Sequence, residues 1–97
     1  MMDCRLTRCV DLLTKSWSAE YGPHGVRVNA VSPGPTRTAG TEQFGAGLDA
    51  LASPAPAGRP AMPDEIADGI VYLAVGPSTF IHGVVLTVDG GRQAMQA

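Results

Sequence analysis

The sequence predicts an α/β fold with parallel strands, in the order helix, strand, loop, helix, strand. Three observations carry this. Leu6, Val10, Leu13 and Trp17 recur at spacings of four, three and four, the period of one helix face. Two short runs, "VRVNAV" at Val26–Val31 and "GVVLTVDGG" from Gly83, are rich in β-branched residues and bounded by Gly and Pro, as strands are. A second helical pattern begins at Pro63, between them. Two strands joined through a crossover helix pair in parallel, with a right-handed connection.

Each element has its own local cause. The first helix stops at Tyr21-Gly22-Pro23, because Gly can take the left-handed cap and Pro cannot continue a helix. The first strand runs into Ser32-Pro33-Gly34, a strand-to-loop corner of the kind that often holds a ligand. From about Thr36 to Met62 the chain is rich in Gly, Ala and Pro, with Phe44, Leu48 and Leu51 as its large apolar residues. A short helix around Leu48–Leu51 is expected there; a loop this long is either a functional lid or disordered. Pro63-Asp64-Glu65 reads as a helix start, with Pro at the first position and carboxylates at the positive end of the dipole. Ile66, Ile70 and Leu73 form that helix's apolar face, and Gly76-Pro77 ends it. Two strands and two helices leave a parallel sheet with an uncovered face and edge, so the pattern reads as part of a larger sheet.

Composition narrows the function. With 97 residues there is one domain at most. The 44% hydrophobic and 16% charged content marks a chain that builds a core. A net charge of -2, with seven scattered basic residues, argues against nucleic acid. No apolar run reaches the roughly 18 residues a membrane span needs. Asp3, Arg5 and Arg8 interrupt the start where a signal peptide is apolar, so a cytoplasmic location is expected. Cys4 and Cys9 fit neither a disulfide scaffold nor a CxxC motif and read as reduced thiols.

Other candidates read as structural. No metal site is expected: His24 and His82 lack Cys or carboxylate partners at ligand spacing. Asp64, Glu65 and Asp68 read as a helix-dipole cluster, and Trp17 as core. "GAGLDA" at Gly45–Ala50 has dinucleotide-motif spacing, but it follows no strand and is read as a decoy. Tyr21 and Tyr72 have Gly25 and Gly76 four residues on, where a Tyr-Lys pair would need Lys.

Three ordered segments carry a family resemblance. "LTKSWSAEYGPHGVRVNAVSPGPTRT", "GRPAMPDEIADGIVYLA" and "GVVLTVDGG" resemble the C-terminal part of the short-chain dehydrogenase/reductase family, from about Val10 to Arg92. The resemblance implies the C-terminal part of a doubly wound, Rossmann-type parallel sheet, so that residues 1–97 form part of a dinucleotide-binding domain. Residues 1–9 are atypical, 39–62 match the substrate loop, and 93–97 form a tail. It implies an NAD- or NADP-dependent oxidoreductase transferring hydride to or from a small carbonyl or alcohol, working as a homo-oligomer. Pro33 and Gly34 would form the corner over the nicotinamide. Thr36 would offer backbone groups to the carboxamide, and Thr38 a hydroxyl beside it. Pro35 departs from the larger apolar residue usual in the family.

The family's catalytic Tyr and Lys stand one helical turn apart, so that the ammonium lowers the phenol pKa. A gap-free match puts Asp3 and Thr7 in those places, and the catalytic Ser upstream of residue 1. No catalytic residue is therefore assigned, and a fragment inactive by itself is expected, with cofactor binding by these residues alone in doubt. The small residues of the substrate loop specify little, so the substrate class stays open. The alternative is a non-enzymatic interaction fragment that retains the family's subunit-interface surfaces.

Overall fold

A computed structural model describes the backbone of residues 4–96 and the side chains of residues 8–95. Asp3, and the side chains of Leu6 and Thr7, lie outside the described residues. The elements are α1 (Cys4–Tyr21), β1 (Ala30–Pro33), α2 (Ala46–Ala52), α3 (Pro63–Ala74) and β2 (Val85–Val88). The order is the expected one, with α2 as the short helix in the long loop. β1 and β2 form a two-stranded sheet. The chain packs as two compact units, one running to Ala30 and including Tyr72–Leu86, the other comprising Val31–Val71 and the chain from Thr87 onward.

In the first unit, α1 gives way to a 3-10 turn at Gly22–His24. The left-handed residue is Gly25 (φ 81), not Gly22, and its N–H closes on the Gly22 carbonyl at 3.0 Å. The buried side of α1 also differs from expectation. Thr14 and Ser18 are buried, whereas Val10, Leu13 and Trp17 are exposed, Trp17 by 46%. The reason is the close approach of Gly83: a Cβ built there would stand 3.3 Å from the Ser18 side chain. Only small residues fit that seam, and Lys15 Nζ donates to the Gly83 carbonyl across it (3.1 Å).

The strand begins later than "VRVNAV" suggests, at Ala30 rather than Val26. Asn29 explains part of the offset. Its amide Nδ2 donates to the Ile81 carbonyl (3.0 Å), and its Oδ1 accepts from the Val84 N–H (2.9 Å), replacing backbone pairing with side-chain bonds. Gly83 N–H on Val28 O, just before Asn29, and Ala30 N–H on Val84 O, at the first residue of β1, flank these side-chain bonds, both at 2.9 Å. Both partners advance together, which is parallel register. Arg27 Nη1 reaches the carbonyls of Leu73 (2.8 Å) and Ser78 (3.0 Å), satisfying acceptors where α3 ends. Of the expected α3 face, Leu73 is buried and Ile66 half-buried, while Ile70 is exposed.

In the second unit the long loop is ordered. An isolated parallel bridge between Thr36 and Ala61 ties its two ends. Inside it, a 3-10 turn at Glu42–Phe44 precedes α2, whose Leu48 and Ala52 are buried together with Ala55. The "GAGLDA" stretch thus follows a 3-10 turn and no strand. Glu65, the third residue of α3, accepts the Met62 N–H (2.9 Å), a side-chain cap of the helix start. After β2, Gly90 (φ 66) and Gly91 (φ 90) are left-handed, and Cβ atoms there would fall within 2.8 Å of Ala57 and Pro56. The Asp89 carboxylate closes this turn, accepting from the Gly91 (2.9 Å) and Gln93 (2.8 Å) amides.

Candidate functional site

The end of β1 delivers the chain into a cleft of about 520 Å³. Pro33, Gly34, Thr36 and Thr38, the four positions singled out in the sequence, all line it. Thr41, Phe44, Gly47, Leu48 and Leu51 complete the wall. The cleft lies entirely within the second unit.

The corner is set by β2. Gly34 N–H donates to the Val88 carbonyl at 3.1 Å, and a Cβ on Gly34 would stand 2.8 Å from both Cα and Cβ of Asp89. Glycine is therefore required by the neighbouring backbone. Gly34 is not among the positive-φ glycines, and the space its missing side chain leaves is taken by Asp89.

Beyond Gly34 the backbone is held open on one side. Across the Thr36–Ala61 bridge, Ala61 N–H donates to Pro35 O and Arg37 N–H to Ala61 O, both at 2.8 Å. In a parallel pair this turns the N–H and C=O of Thr36 itself away from residue 61. The Thr36 carbonyl accepts the Thr41 hydroxyl (2.9 Å), and the Thr36 hydroxyl donates back to Gly34 O (2.8 Å). Among the described residues no acceptor takes the Thr36 N–H. The loop thus keeps one backbone donor free and commits the Thr36 hydroxyl internally.

Thr41 organises the rest, and the sequence reading passed over it. Its Oγ1 accepts the Thr38 N–H at 2.7 Å, while its own N–H donates to Thr38 O at 3.1 Å. The signal was the three-residue spacing of Thr38 and Thr41, typical of hydroxyl-to-backbone turns. The Thr38 side chain stands at the exposed rim of this turn. Phe44, Leu48 and Leu51, the large apolar residues of the long loop, share one face. Their spacing of four and three puts them on one side of the turn and helix.

No charged side chain is among the residues that line the cleft. Arg37 Nη2 and Asp49 Oδ1 pair at 2.6 Å, linking the corner to α2. A second, smaller cavity is lined by Pro35, Ala57, Arg59, Glu65 and Asp89 among others. Its charged groups are already engaged. Arg59 donates twice to Glu65, at 2.9 and 2.8 Å, and Asp89 closes the β2 turn. The Arg59 hydrogen bond, joined by that from the Met62 amide, holds the Glu65 carboxyl down at about 2. Among the described residues no His, Cys, Asp and Glu group of three or more is placed to hold a metal ion, and no helix is long and apolar enough to cross a membrane.

Comparison with known proteins agrees with the α/β fold. Residues 8–93 match the family described as enoyl-(acyl carrier protein) reductase. The A-factor type gamma-butyrolactone 1'-reductase (1S-forming) of Streptomyces virginiae is 43% identical over 83 residues, which cover 81% of this chain and 32% of that protein. A solved short chain dehydrogenase/reductase family protein aligns with a TM-score of 0.79 at 45% identity, over 90% of this chain and 35% of that one. A 4-hydroxyisoleucine dehydrogenase mutant complexed with NADH and succinate aligns with a TM-score of 0.81 at 32% identity, over 90% and 37% of the two chains. The chain spans about a third of the length of the curated relatives it matches.

Proposed function

The chain belongs to the short-chain dehydrogenase/reductase family, and from that premise we propose that it forms the nicotinamide-facing wall of an NAD- or NADP-dependent oxidoreductase acting on a carbonyl or alcohol. The observation that carries this reading is the free Thr36 N–H, held in a bridge that aims it away from Ala61 at a cleft-lining position. A carboxamide carbonyl is a fitting acceptor for such a donor. The solved relative named with NADH supports the choice of ligand.

In this reading the residues present fit the ligand. Thr36 N–H binds the carboxamide oxygen, Thr38 Oγ1 offers a second polar contact at the rim, and Pro33 with Gly34 forms the adjoining wall. Thr41 positions both, because its hydroxyl fixes Thr36 O and Thr38 N–H. When bound, the nicotinamide supplies or accepts the hydride. The chain's task is orientation: a fixed donor restricts rotation of the carboxamide and so presents one ring face. Proton transfer is not assigned to these residues. The gap-free match gives Asp3 and Thr7 in the Tyr and Lys positions, and neither Tyr21 nor Tyr72 has a Lys four residues on.

The test is amide-resolved NMR of the chain during titration with NADH and NADPH to millimolar concentration. The Gly34, Thr36 and Thr38 amides are expected to shift as a group. Thr38→Val is expected to weaken that response by roughly 2- to 10-fold, the range of one neutral hydrogen bond. Resonances of the cleft that stay fixed while others move, or no movement with either nucleotide, would refute the assignment.

A further inference from the structure

We infer that the far side of the cleft selects an uncharged, hydrocarbon-rich carbonyl or alcohol and rejects carboxylates. This rests on reading the Thr36–Thr38 side as the nicotinamide wall, and it concerns different residues. Phe44, Leu48 and Leu51 share one face and line the cleft with Gly47. Leu48 is buried (5% exposed) and forms the inner surface, while Phe44 and Leu51, 57% and 50% exposed, stand at the opening. Such half-exposed apolar side chains gain most from covering by an apolar body.

The electrostatics point the same way. No titratable side chain lines the cleft. Arg37 and Asp49, next in sequence to lining residues, pair with each other at 2.6 Å and line no part of the cleft. The hydroxyls of Thr36 and Thr41 are turned to carbonyls of the loop itself. A carboxylate seated against Phe44, Leu48 and Leu51, instead of at the free Thr36 N–H, would lose water and find no counter-charge, a cost that drives charged groups out of apolar sites. A ketone or secondary alcohol pays only for one weakly polar oxygen. The cleft volume of about 520 Å³ lies in the range of small-ligand sites, roughly 300–1,000 Å³.

The probe is Prodan, a neutral naphthyl ketone whose emission moves to the blue when water is excluded. Added to the chain without any nucleotide, it is expected to shift blue and to be displaced by 2-nonanone. Nonanoate, of equal chain length, is expected to displace it at least about tenfold less well. Phe44→Ala is expected to weaken Prodan binding roughly tenfold. Leu51→Arg supplies the missing counter-charge at a half-exposed position and is expected to reverse the order of the two competitors, which loss of folding alone would not do. Equal displacement by nonanoate and 2-nonanone, a water-like Prodan emission, or an unchanged order in Leu51→Arg would overturn the inference. Because no nucleotide is present, failure here is separate from failure of the NADH and NADPH titration.

Discussion

Replacing Gly34 by Ala tests the account of the corner most directly. The added Cβ would stand 2.8 Å from Cα and Cβ of Asp89 and 3.2 Å from its carbonyl oxygen. That is about 0.6 Å inside the start of ordinary van der Waals contact at 3.4 Å. The obstacle is backbone and cannot rotate away. It is also held in place, by the Gly34 N–H on Val88 O and by the two amides that Asp89 accepts. Overpacking against a fixed neighbour costs about 1–3 kcal/mol. For a chain of this length each kcal/mol lowers Tm by roughly 4–8 °C, so thermal unfolding followed by circular dichroism is expected to fall by at least about 4 °C. Gly47→Ala is the matched control. Its Cβ meets nothing within 4 Å, and it lies inside α2 with no positive φ. There the same substitution is expected to be neutral or to stabilise by about 0.5–1 kcal/mol, through helix propensity. A Gly34→Ala chain as stable as the parent, or a Gly47→Ala chain that loses as much, would refute the claim that Asp89 dictates the glycine.

Two further outcomes follow from contacts in the two units. Glu65 has a folded-state pKa of about 2 against an ordinary 4.5, so the Arg59–Glu65 pair favours the folded state fully above about pH 4.5 and loses that contribution as the pH falls toward 2. The Tm gap between the parent and Glu65→Gln, which keeps a side chain able to cap Met62 but removes the charge, should therefore be present at pH 6 and vanish near pH 2; a gap independent of pH would contradict the pairing. Asn29→Asp removes the Nδ2 donor and sets a carboxylate against the Ile81 carbonyl, with an expected cost of about 1–3 kcal/mol in urea unfolding. An unchanged midpoint would show that the Asn29 bridge does not fasten the strand entry.

The sequence by itself determined what depends on neighbours in the chain. The period of α1, the stop at Gly22-Pro23, the start of α3 at Pro63 and the β-branched run of β2 are local choices of dihedral and capping, legible without a partner. The four cleft positions, Pro33, Gly34, Thr36 and Thr38, came from the family resemblance of the segment that contains them, and all four line the cleft. Tertiary structure decided what depends on which surfaces meet. Trp17 lies exposed and Ser18 buried because Gly83, 65 residues away, presses on α1 at one seam. β1 starts at Ala30 because Asn29 finds the Ile81 carbonyl and the Val84 amide. Thr36 keeps a free N–H because Ala61 takes up its flanking groups and not its own. Periodicity states that a helix has two sides, but the size of what lies opposite selects the one that is buried. Composition likewise names the hydrogen-bonding groups, while only the paired backbone fixes which donor is left over for a ligand.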